Sequence, residues 1–119
     1  MNEINTFGAV MAFAIDLEQR LRNYASDHQA DDYASSCLKR VSTLERVRRE
    51  NVVEIMLEPI QGLTTDRYFI DTADQSPQGI QAAAAVAARF YADASQKVNV
   101  LEVKRALERC GKQHKEIAE

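Results

Sequence analysis

Four stretches of this chain repeat apolar residues in steps of three and four, and a stretch unsuited to a helix separates the second from the third. An α-helix has 3.6 residues per turn, so this spacing collects the apolar side chains on one face, which must be buried against another element. The first stretch covers about 6–26, with Phe7, Val10, Met11, Ala14, Leu17, Leu21 and Tyr24 on the face and Thr6 placed as its cap. The second covers 31–57 through Tyr33, Cys37, Val41, Leu44, Val52 and Ile55, and Pro59 stops it. In the third, 77–96, Ser76 and Pro77 read as N-cap and first helical residue, with Ile80, Ala84, Ala87, Tyr91 and Ala94 on one side. The fourth, 100–118, opens on a capping box formed by Asn99 and Glu102 and continues through Val100, Val103, Leu107, Cys110, His114 and Ile117.

Between the hairpins, residues 58–76 carry a proline, a glycine, β-branched residues and the apolar triplet Tyr68-Phe69-Ile70. Extended chain covers ~3.3 Å per residue, enough for this segment to run the whole length of helices that rise ~1.5 Å per residue. The expected fold is therefore all-α: a four-helix bundle of two antiparallel hairpins joined by a long crossover. The triplet would lie on the bundle's flank or on a neighbouring subunit. At 119 residues the chain is one domain, 1–119.

Charge and composition narrow the function. With 15 Lys+Arg against 18 Asp+Glu the net charge is -3, the wrong sign for a protein whose main partner is nucleic acid. No basic residue precedes the first apolar run, so it does not read as a secretory signal, and charges interrupt every run well short of the ~20 residues a membrane span needs. A cytoplasmic protein without a membrane partner is expected. The two cysteines, Cys37 and Cys110, form no CxxC pair and read as buried free thiols.

Helices three and four, through RFYADAS and EVKRALERCGKQHKEIAE, resemble the second hairpin of the rubrerythrin branch of the ferritin-like superfamily. DLEQRLRNYAS and LERVRRENVVEIML resemble the first hairpin more loosely. The resemblance implies a di-iron centre built from a Glu on each of helices one and three and an E-x-x-H pair on each of helices two and four. Carried over residue by residue, Glu18 is retained on helix one and His114 on helix four. The other positions depart: Arg48 and Asn51, or in a second register Glu45 and Arg48, stand on helix two, Ala84 on helix three and Gly111 on helix four. Two ligands of six do not make a di-iron site, and no cysteine-rich rubredoxin-like tail accompanies them.

Arg48 shares the apolar face of helix two in this reading, so it would point inward. A buried guanidinium must be paired, and Glu18 is the carboxylate the family aims at the same place. The expectation is an Arg48–Glu18 ion pair in the metal's position, with no cofactor. The alternative is iron held by residual ligands, Glu18 and His114 with Glu45 or Glu50, for oxygen or peroxide chemistry. His28, in the first turn, is read as solvated, and Tyr24 and Tyr91 as core tyrosines rather than redox groups. Two basic clusters, Lys39, Arg40, Arg46, Arg48 and Arg49 on helix two and Lys104, Arg105, Arg109, Lys112 and Lys115 on helix four, could attract an acidic partner in a salt-sensitive way. The favoured function is a non-catalytic structural or partner-binding homo-oligomer, a dimer or larger, with an iron oxidoreductase second and an adaptor third.

Overall fold

In the computed structural model, residues 3–55 and 60–119 are described, and within them the protein is all-helical. The helices are α1 (Phe7–Asp27), α2 (Asp31–Ile55), α3 (Gly79–Ser95) and α4 (Leu101–Ala118), with a short 3-10 turn at Thr65–Tyr68. None of these helices is long and apolar enough to cross a membrane.

The α1 face is buried along its length, from Phe7 through Val10, Met11, Ala14, Leu17 and Leu21 to Tyr24. Thr6 caps it: its hydroxyl accepts from the Ala9 amide at 3.0 Å. On α2 the buried residues Tyr33, Cys37, Leu44 and Val47 continue the face, and Pro59, residues 56–57 and the side chains of Val52 and Ile55 lie outside those described. One expected helix start is corrected. Ser76-Pro77 lies in a turn, with Gln78 at the N-cap of α3 and the Gly79 amide donating to the Ser76 carbonyl. Helix α4 follows Val100, within a residue of its expected start.

Helix α1 packs chiefly on α2, and α3 on α4. Across the first turn Glu18 meets Arg40 and Gly8 lies under Arg48, and across the second Tyr91 meets Gly111 and Lys104 reaches the Ser95 carbonyl. The connection between the pairs travels along α1. At one end the Ile60 amide donates to Asn5 and the Ile4 amide to Leu63, both at 2.9 Å. At the other, the Asp74 carbonyl accepts from the Tyr24 hydroxyl at 2.6 Å. Midway, Tyr68 is buried against Phe13 and Phe90 and its hydroxyl donates to Asp93, Ile70 is buried, and Phe69 points outward at 71 % exposure. His28 is not solvated as expected but half-buried, with one ring nitrogen 2.9 Å from the Tyr24 carbonyl and the other 3.2 Å from that of Asp74.

Candidate functional site: a closed polar cluster in the core

Midway along the bundle, all four helices direct a polar side chain into an otherwise apolar interior. Glu18 of α1 and His114 of α4 are both wholly buried, and Arg40 of α2 is 4 % exposed. Tyr91 of α3 and Tyr33 of α2 complete the cluster. An unpaired buried carboxylate is prohibitively costly, so the partners of Glu18 decide what this site can do.

Both oxygens of the Glu18 carboxylate are engaged. Arg40 Nε donates to Glu18 Oε1 at 2.9 Å, while Tyr91 Oη at 2.6 Å and His114 Nε2 at 2.7 Å meet Oε2. The other guanidinium nitrogens reach Gln113 Oε1 at 2.8 Å and Cys37 Sγ at 3.2 Å. The second nitrogen of His114, Nδ1, lies 2.7 Å from the Tyr33 hydroxyl. The Tyr91 and His114 rings stack, 5.6 Å apart and 8° from parallel, and Tyr33 meets His114 edge-on. No buried side-chain nitrogen or oxygen among the described residues lacks a hydrogen-bond partner.

The protonation pattern follows from burial and charge. Burial works against ionised Glu18, but the His114 hydrogen bond, the charge that imidazole gains once protonated at low pH, the Arg40 charge and the Tyr91 hydroxyl outweigh it and hold the carboxyl below its ordinary 4.5. Burial drives His114 below its ordinary 6.5, with Arg40 adding to the effect, against the pull of Glu18. A neutral imidazole has one N–H, and a carboxylate can only accept. His114 therefore carries its proton on Nε2, donating to Glu18, and Nδ1 accepts from Tyr33. Burial, then the neighbouring negative charge of Glu18, raises the Tyr91 hydroxyl well above 10.0, so it stays a donor. One anion and one cation cancel, and the cluster is closed in both charge and hydrogen bonding.

Glu18 and His114, the two residues the resemblance singled out as ligands, thus do meet. The expected cation is corrected: Arg48 is exposed, and Arg40 is paired with Glu18. Glu45 and Glu50 are exposed too, so neither joins Glu18 and His114. Arg48 instead reaches over Gly8, its guanidinium 3.8 Å from where a Cβ would stand, and lines a surface groove with Glu45. Asn51, the other residue of that register, is buried but donates to the Val47 carbonyl of its own helix at 2.9 Å.

These residues do not fit a di-iron centre. Hard carboxylates must bridge two irons, yet Glu18 is the one carboxylate the cluster holds among the described residues, with Ala84 and Gly111 where the resemblance would put two more. A Cβ on Gly111 would already lie 2.9 Å from Tyr91 Cβ, so nothing larger enters without parting α3 from α4. A guanidinium fixed against Glu18, the one buried carboxylate among the described residues, would also repel a divalent ion. Cys37 and Cys110 are buried thiols, both pushed up to about 12, first by burial and then by the Glu18 charge, and so are unreactive in the fold.

Sequence spacing missed Arg40, Tyr33 and Gln113. The signal that finds Arg40 is distance from the turn: Glu18 and Arg40 each lie eleven residues from Gln29. No family model, curated protein or solved structure matches this chain.

Proposed function

We propose that this protein is a ferritin-like bundle of two antiparallel hairpins, of the rubrerythrin branch, that has exchanged its di-iron centre for an internal ion pair. It acts as a non-catalytic structural or partner-binding homo-oligomer in the cytoplasm. The observation that carries the reading is the Arg40 guanidinium seated on buried Glu18, with both nitrogens of His114 already engaged. A substrate or metal entering here would have to displace a buried charge-assisted hydrogen bond, which is among the stronger polar contacts in a protein. The contact pairs bridging each turn support antiparallel hairpins, and outward-facing Phe69 supports association of the bundle with another surface.

A rearranged or mononuclear iron site using Glu18 and His114 is the competing reading, favoured by their 2.7 Å contact, and it requires Arg40 to leave. The test is elemental analysis of untagged protein purified without chelator and re-equilibrated anaerobically with ferrous iron. The proposal expects far less than one iron per chain alongside a cooperatively melting helical fold. About one or two irons per chain, lost on Glu18→Gln or His114→Ala, would overturn it.

A further inference from the structure

The surface between α3 and α4 carries an uncompensated positive charge in a shaped groove. One hollow of about 410 Å³ lies over Ala88, Ala92 and Gly111, and a second of about 310 Å³ continues it along α4. The two share Glu108 and Lys112, so they form one trough. Its α4 wall carries Arg105, Arg109, Lys112 and Lys115, all exposed and none in an ion pair among the described residues, against the single acid Glu108. The larger hollow beside α1 and α2, of about 570 Å³, differs: Arg48 and Arg49 face Asp16 and Glu45, so it has no net sign.

We propose that the α3–α4 trough docks an acidic amphipathic helix of a partner protein. Its floor is small: Ala88, Ala92 and the buried Gly111 offer no side chain that would hold an incoming backbone away. Arg105 and Lys112 are seven residues apart on α4, ~10.5 Å at 1.5 Å per residue, the same separation as carboxylates at i and i+7 on a second helix. Intervening Arg109 then meets a carboxylate at i+4. No aromatic side chain lines the trough for base stacking, and the protein's net charge of -3 disfavours a polyanion, so a helix with one acidic face fits better than a nucleic acid. This inference deepens the partner-binding reading, but it uses none of the buried cluster, so iron binding in the core and failure of docking are separate results.

Fluorescence anisotropy of the full chain with a labelled alanine-rich helical peptide bearing glutamates at i, i+4 and i+7 tests it. An isomer of equal composition broken by a central Gly-Pro, and a uridine 20-mer, are compared in the same buffer. The helical peptide is expected to bind at least about tenfold more tightly than the broken isomer, and to lose about tenfold with R109E/K112E, which reverses two charges worth at least one factor of ten. It should lose as much with A92L, which fills the floor at an exposed position and leaves the charges in place. Circular dichroism melts verify that both variants fold. Equal binding of the broken peptide, unchanged binding by A92L, tighter binding of the RNA, or self-association that R109E/K112E abolishes would each overturn the proposal, the last by making a second copy the occupant.

Discussion

Replacing Arg40 with methionine removes the one cation of the core and keeps most of its packing. Glu18 then remains 0 % exposed with only the neutral donors Tyr91 and His114. Breaking a buried ion pair from one side costs about 3–5 kcal/mol, far more than the pair itself contributes relative to an apolar replacement. That loss is expected for Arg40→Met at pH 7.5. It must also depend on pH. In the native protein the cluster is neutral, whereas in the variant it holds one net negative charge and can restore neutrality by taking up a proton on Glu18 or His114. Because Arg40 is among the causes that lower both groups, its removal raises both. The folded variant thus gains a proton relative to native protein as pH falls, and the stability gap shrinks by up to about 1.4 kcal/mol per pH unit. The native protein runs the other way. His114 and Glu18 are both held below their ordinary values of 6.5 and 4.5, so their contributions are full above those values and are lost as pH falls through the lower folded ones. Urea titrations followed by helical circular dichroism between pH 5.5 and 8 measure both trends. A gap below about 1 kcal/mol at pH 7.5, or one that does not change with pH, would refute the charge balance described here.

Three further outcomes follow from named contacts. Gly111→Ala should lower stability by about 1–2 kcal/mol despite a gain in helix propensity of about 1 kcal/mol, because the new Cβ meets the root of Tyr91 rather than a movable tip; thermal melts check the sign. Tyr33→Phe leaves His114 Nδ1 buried without its donor and should cost about 1–3 kcal/mol, and the double variant with Arg40→Met should show non-additive losses in a mutant cycle. With both thiols buried and raised to about 12, Ellman's reagent at pH 8 should label neither Cys37 nor Cys110 until urea unfolds the chain, and prompt labelling of either in native buffer would contradict their placement.

The helices were legible because their burial is one-sided, and the error on α2 shows where periodicity stops being informative. Arg40 and Arg48 lie four residues before and after Leu44, so they sit equally far from it around the helix, and spacing alone cannot choose between them. The choice belongs to tertiary pairing: the eleven-residue distances of Glu18 and Arg40 from the first turn bring them level, whereas Arg48 stands level with Gly8. His114 was legible through the family resemblance, but its partner Tyr33 was not, since an apolar stripe reports a tyrosine ring and says nothing about its hydroxyl. The helix start at Ser76-Pro77 was misplaced for a local reason. A proline signature states a preference, and here a turn satisfies the chain instead. Neither the polarity of the α3–α4 trough nor its small floor could be read without knowing that Ala88, Ala92 and Gly111 share a surface.

Nitrogen-15 NMR of the histidine side chains decides whether the core is one neutral unit with Arg40 as its cation. The His114 ring is expected to be protonated at Nε2 alone and unchanged from pH 8 to 7, with Nδ1 carrying the shift of an acceptor. A His114 resonance with both nitrogens protonated in that range would contradict it, because the core would then hold two cations against one carboxylate.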